Sequence, residues 1–290
     1  MVIITFNSQL AKPSTINLED MKFRTPVTID PSPFQIEPCE RMLFVGSCFA
    51  DNIGSRFIAD KFRATVNPYG VMYNPASILH TVEHYLATTN EVAQTAVFTL
   101  GTNRVYILNE TGEIVDNCQK RPQHLFTERS LSVDECANYI TKAIALLHER
   151  KTDVRVVLTV SPIRYVKYGF HGSTLSKATL LLAAEQVVQN TEGCVYFPAY
   201  EIVCDELRDY RFYAPDMIHP SQQAVDYIWE RFADTFFSNA TKTFLSEWQP
   251  IKAALNHRPF NPDSAEYHAF VEKTQQKLKA LKARYPEMET

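Results

Sequence analysis

Residues 41–53 read Arg-Met-Leu-Phe-Val-Gly-Ser-Cys-Phe-Ala-Asp-Asn-Ile, and two hydrophobic periods meet within them. Met42–Val45 is a short unbroken apolar run, the pattern of a strand buried on both faces. Gly46-Ser47 breaks the run. From Ala50 to Lys61 the apolar residues return at helical spacing, with Ile53, Phe57 and Ile58 on one face and Asp51, Ser55 and Asp60 elsewhere. A strand that turns sharply into a helix leaves a side chain at the carboxyl end of a sheet, beside the positive end of that helix. An α/β protein places a nucleophile or an anion-binding group there. Ser47 occupies that position, with Cys48 next to it.

The alternation continues along the chain. Apolar strand-like runs at 63–66, 96–100, 154–160 and 195–197 are separated by helical patterns, which predicts parallel strands joined by crossovers with helices on both faces. Asn74-Pro75 is a helix cap and first helical residue. Ser132 with Glu135 is a capping box opening a helix to Glu149. Val105–Leu108 and Glu113–Val115 flank Asn109–Gly112, a hairpin signal, and residues 116–131 read as a polar connection. A helix is predicted from Ser173 or Thr174 to about Gln189, and another from Ser221 to Phe237. Residues 1–40 read as an extended segment packed on the domain, since five prolines forbid a long helix, and Phe23–Ile29 has the composition of an edge strand. The expected organisation is a catalytic domain over 1–238 and a C-terminal helical extension over 239–290, broken around Pro259–Pro262.

With 290 residues the chain is long enough for a large core. Its net charge of −4 argues against a nucleic-acid or anionic-membrane partner. No apolar run approaches the roughly 18 residues that span a bilayer, and Met1–Phe6 is too short for a signal sequence. The six cysteines show no CxxC or zinc spacing, so reduced thiols, a cytoplasmic location and no metal or other cofactor are expected.

Far downstream, Asp216-Met217-Ile218-His219-Pro220-Ser221 spaces a carboxylate three residues from an imidazole. One short turn then presents both side chains the same way, the carboxylate taking one ring nitrogen and freeing the other. Alone, this is a capped helix start with a surface histidine, and alone Ser47 is a turn residue capping the next helix. Together they complete one another, because a serine hydroxyl needs a base. The Ser47 N–H, Gly70 and the Asn103 amide are candidate donors to an oxyanion, with Asn74 or Asn67 next in line. Cys48 is the rival nucleophile, lowered in pKa by the helix start, although a residue after such a turn is expected to point inward. Lys177, beside Ser176, reads as the solvated start of an amphipathic helix. Asp205–Arg211 reads as a salt-bridged surface loop or a pocket rim.

The chain resembles the GSCFA-domain proteins, a branch similar to the SGNH/GDSL hydrolases. The motifs that carry the resemblance are GSCFA at 46–50, NPYGVMYNP at 67–75, TLGT at 99–102, TVSPIR at 159–164, SKATL at 176–180, the run 196–213 and DMIHPS at 216–221. The resemblance implies a flavodoxin-like three-layer α/β/α fold with a central parallel sheet and a serine esterase or acyltransferase site. Ser47 then corresponds to the block-one serine, Gly70 to the block-two glycine, Asn103 to the block-three asparagine, and Asp216 and His219 to the block-five pair. Two positions depart from the pattern: GSCF stands for the usual GDS, and Arg104 follows Asn103 where an acid is usual. The expected activity is hydrolysis or transfer of an O-acyl ester, with a small-molecule, carbohydrate or lipid substrate, through an acyl-enzyme on Ser47. The alternative is a non-catalytic ligand-binding module that keeps the pocket. The region around His257, Tyr267 and Phe270 reads most simply as a packing element, with the surface of a homodimer as the alternative.

Overall fold

A computed structural model describes residues 24–289. The first strand, β1 (Arg41–Gly46), leads into α1 (Cys48–Ala59), β2 (Arg63–Val66), α2 (Pro75–Thr88) and β3 (Thr95–Leu100). A small antiparallel arm follows, β4 (Arg104–Leu108), β5 (Ile114–Val115) and β6 (Phe126–Ser130), and then α3 (Val133–Arg150) and β7 (Arg155–Val160). The chain continues through α4 (Gly169–Asn190), β8 (Cys194–Tyr196), a short α5 (Ala199–Glu201) running into a π-turn at Ile202–Leu207, and α6 (Gln222–Phe236). It ends in α7 (Asn239–Leu255) and α8 (Ala265–Arg284).

Five parallel strands form the central sheet in the order β2-β1-β3-β7-β8. The apolar runs alternate strictly between its two faces, as side chains on a pleat must. Leu43, Val45, Ala96, Phe98, Val156 and Leu158 pack on the side of α2, α3 and α4. Met42, Phe44, Val97 and Val157 pack on the side of α1 and α6, where α7 adds Phe244 and Trp248. The expected three-layer α/β/α arrangement is therefore the observed one. On the second side Phe57 is the hub, its ring 5.0 Å from Phe44 and from Trp229 and 4.8 Å from Phe62.

Several local signals act as read. Ser132 and Glu135 form the capping box of α3, and Asn74 caps α2 ahead of Pro75. Others do not. Residues 126–130, read as connection, are β6, which pairs along the whole of β4. No strand forms over residues 24–29. That segment is tied by single bonds, Val27 N–H to the buried Glu206 carboxylate and the Arg231 guanidinium to Val27 O. Residues 1–23 of the predicted N-terminal segment, Phe23 among them, lie outside the described residues. Helix α4 begins at Gly169, earlier than its polar cap signal at Ser173.

The chain leaves β1 for β2 on one side and returns to β3 on the other, so the direction of winding reverses between β1 and β3. A crevice opens at such a point outside the carboxyl ends of the strands. Gly46 sits there with φ +145°, and a Cβ on it would lie 2.2 Å from Thr99 O in β3. Neither the dihedral nor the space admits a side chain. We expect Gly46→Ala to cost more than about 3 kcal/mol, read as a lowered urea midpoint at unchanged slope. A midpoint within error of wild type would show that the two strand ends are free to separate.

Candidate functional site

The turn after β1 is strapped from below. Gly46 N–H donates to Asn67 Oδ1 at 2.8 Å and Gly46 O accepts from Met72 N–H at 2.8 Å, while Asn67 Nδ2 donates to Asp51 in α1 at 2.7 Å. Asn67 thereby spends its amide on structure.

Ser47 is the N-cap of α1. Its Oγ accepts the Phe49 N–H at 3.2 Å and lies 3.1 Å from Thr99 Oγ1, and its own N–H is taken by Thr99 Oγ1 at 2.9 Å. The residue is 2% exposed. A hydroxyl so held closes the helix and lies against Thr99 at the end of β3. Cys48 is the residue that opens outward. It is half-buried, its Sγ lies 3.8 Å from the Tyr73 hydroxyl, and its N–H has no partner among the described residues. The inward and outward positions are thus the reverse of those read from sequence, because the capping bond turns Ser47 back over its own helix. Burial first, and then the neighbouring Cys48 and Tyr165, push the Tyr73 phenol up to about 12, so it stays a hydrogen-bond donor.

The three other donor candidates fare differently. The Gly70 N–H closes a turn onto Asn67 O at 2.9 Å, and a Cβ on Gly70 would meet nothing, so the glycine serves its φ of +97° and not a close approach. The Asn103 amide donates to Leu131 O at 2.7 Å and its N–H to Ser176 Oγ at 2.9 Å, stapling the β4 arm to α3 and α4. Gly70 N–H thus serves a turn, and the Asn103 amide uses one of its two N–H groups in the staple. Asn74 accepts from Ser77 N–H through Oδ1 and leaves Nδ2 without a partner among the described residues.

Asp216 and His219 form the predicted pair. Asp216 Oδ1 accepts the Ile218 and His219 N–H groups at 2.9 and 3.0 Å, and Oδ2 lies 2.6 Å from His219 Nδ1. Those two backbone bonds, followed by the ring, hold the carboxyl down at about 2. The imidazole is so oriented that Nε2 is the free nitrogen. Arg164, just beyond β7, pins this loop with its N–H on Ile218 O at 3.0 Å and its Nη1 on Met217 O at 3.1 Å.

Helices α1 and α6 bring the two halves together. Arg56 pairs with Asp226 and Phe57 packs on Trp229, and a cavity of about 650 Å³ is lined near their starts by Asp51, Asn52, Gln222 and Val225. The two helices lie side by side, and Cys48 and His219 each stand three residues before a residue that lines this cavity. Tyr73 and Tyr165 lie 6.1 Å apart.

Lys177 is the residue the sequence misplaces most. It is buried, and its ammonium donates to Gly101 O and Ser161 O, both at 2.7 Å, across the ends of β3 and β7. Gly101 and Thr102 in turn donate to Tyr73 O, so the lysine braces the loop that aims Tyr73. Its predicted exposure followed from helical spacing, which carries no information about strand ends reached from across the sheet. Among the described residues no three His, Cys, Asp or Glu side chains cluster to hold a metal, and no helix is long and apolar enough to cross a membrane.

The chain belongs to the GSCFA family: the family's profile matches residues 41–95 and 86–232, and that of the GSCFA domain protein, C-terminal domain, matches 248–290. No curated protein matches the sequence. Solved structures similar to it include an acetyl esterase mutant with acetate ion, at 12% identity over 67% of this chain and 95% of that one, TM-score 0.42. A family 3 carbohydrate esterase of Clostridium thermocellum is similar at 11% identity over 72% and 98%, TM-score 0.41. An SGNH-hydrolase family esterase is similar at 14% identity over 69% and 96%, TM-score 0.39.

Burial holds the Lys177 amine down at about 7, from an ordinary 10.5. Between those values the unfolded chain carries a proton there that the fold does not. The contribution of Lys177 to stability is therefore full above 10.5 and is lost as pH falls toward 7. The unfolding free energy of the wild type relative to Lys177→Met should rise as pH is raised from about 7 toward 10.5, measured by urea titration at both ends. A constant difference would mean that the two carbonyls keep the amine charged in the fold.

Proposed function

We propose that the protein is an acyl-ester hydrolase, or an acyltransferase when an alcohol replaces water, and that its nucleophile is Cys48 with His219 as base and Asp216 as orienting carboxylate. The observation that carries this reading is the contrast within the turn, Ser47 capped and 2% exposed against Cys48 open at the start of α1.

In the proposed cycle His219 Nε2 takes the Cys48 proton, and Sγ attacks the ester carbonyl. The oxyanion is met by the Cys48 N–H, with the Asn74 amide and the Tyr73 hydroxyl as the neighbouring donors. Collapse breaks the carbon–oxygen bond, and the alcohol leaves with the proton from His219. Water, or a second alcohol, gives a proton to His219 and attacks the thioester, which returns the thiol. Asp216 holds the ring so that Nε2 faces this exchange. Ser47 takes no part in bond making and keeps the turn shut.

On this reading Cys48→Ala lowers kcat on a chromogenic short-chain acyl ester by at least ~10³-fold and abolishes stoichiometric alkylation by iodoacetamide at that site. Ser47→Ala loses about 1 kcal/mol of stability with the cap and keeps both activities. Intact-mass analysis of the trapped acyl-enzyme identifies the residue. An adduct on Ser47, surviving in Cys48→Ala and lost in Ser47→Ala, would restore the serine assignment. A folded wild type with neither turnover nor adduct would leave the ligand-binding alternative.

A further inference from the structure

Beside the His219 loop lies a cavity of about 430 Å³ lined by Arg164, Val203, Cys204, Arg208, Asp209, Tyr210 and Tyr213. Arg164 enters it from a fixed position. Its backbone and Nη1 are bound to Ile218 and Met217, and its guanidinium lies 4.0 Å from the Phe170 ring centroid and 5.3 Å from that of Tyr213. Those bonds leave Nε and Nη2 without a partner among the described residues. These two N–H groups point the same way and form the side of the guanidinium that grips a carboxylate or phosphate with two parallel bonds.

Arg208 adds a second cation from a left-handed backbone position, φ 42°, fixed by its N–H on Val203 O. The one carboxylate lining the cavity, Asp209, is already paired with Arg211 at 3.0 Å. The charge facing an occupant is therefore positive. The walls are aromatic, so a flat or ring-bearing body beneath the anion is accommodated.

We infer that this cavity is the leaving-group subsite, and that the alcohol half of the ester carries an anionic group, a carboxylate or a phosphate, held by Arg164 and Arg208. The inference rests on His219 being the acid that protonates the departing alcohol, since Arg164 is bonded to the two residues preceding it. An ester whose alcohol bears the anion then spans from Cys48, past the imidazole, to the arginines. Binding energy from a remote charged group fixes the scissile bond against the nucleophile.

Calorimetric titration with product-like alcohols tests this without turnover. Para-hydroxybenzoate, para-hydroxyphenyl phosphate and the neutral para-hydroxybenzamide are compared on wild type, Arg208→Gln, Arg208→Lys and Cys48→Ala. At least one anion should bind about 10-fold tighter than the amide, and the stronger of the two identifies the group. Arg208→Gln should erase most of that preference, Arg208→Lys should keep part of it, and Cys48→Ala should keep it whole. Equal binding of anions and amide, or a preference untouched by Arg208→Gln, overturns the subsite. Turnover of the corresponding acetyl esters separates the two readings. Hydrolysis with no anion preference refutes the subsite alone, and anion preference with no hydrolysis refutes the acyl-transfer reading alone.

Discussion

The close approach of β1 and β3 at their carboxyl ends governs the rest of the molecule. Gly46 stands opposite Thr99 in register, with no room for a side chain between them. Having come that close, the chain must satisfy the next N–H, and Thr99 takes it through both its hydroxyl and its carbonyl. The Ser47 hydroxyl is then in reach of the same threonine and of the Phe49 N–H, and it closes the helix from inside. Only after those bonds are made does the next side chain emerge. Cys48 is outward because Ser47 is inward, and Ser47 is inward because Gly46 lets two strands touch.

The second half of the site is built by other means and is joined to the first by packing. Asp216 fixes His219 through three bonds confined to one turn, and Arg164 fixes that turn to the end of β7. Neither half touches the other through these bonds. Their relative position is set by α1 and α6 lying side by side on Phe57, Trp229 and Phe232. A close-packed aromatic cluster transmits position because it resists repacking. Disturbing Phe57 would therefore shift the Cys48 turn and the His219 loop relative to one another without altering either.

What the sequence made legible follows the range of the forces involved. The strand–helix alternation, the caps at Asn74 and Ser132 and the Asp216–His219 pairing each depend on residues a few positions apart, and each was readable. Strand β6 was not, because its five residues carry little apolar pattern and are held by β4, about twenty residues earlier. Lys177 was not, because its partners, Gly101 and Ser161, are carbonyls at the ends of two strands. Asn103 sits in a motif that suits a reactive site, yet its amide is drawn to Leu131 O across the arm. Which of Ser47 and Cys48 stands the more open was not legible either, because it depends on Thr99, over fifty positions away.

A second imidazole–carboxylate pair stands elsewhere in the molecule. His80 Nδ1 lies 2.9 Å from Asp116 Oδ1, and that bond raises the His80 pKa above its ordinary value. The pair faces a cavity of about 220 Å³ shared with Gly70 and His84. The aliphatic hydroxyl lining that cavity, on Thr81, is spent on the Ser77 carbonyl, and no helix begins there with an N–H aimed inward. Orientation of a base is thus common to both pairs and distinguishes neither. The distinction lies at the carboxyl edge, in a half-buried thiol at the first position of a helix, its own N–H without a partner among the described residues. The Gly46–Thr99 contact sets that difference, since it makes Ser47 the cap and leaves the Cys48 N–H without a partner among the described residues.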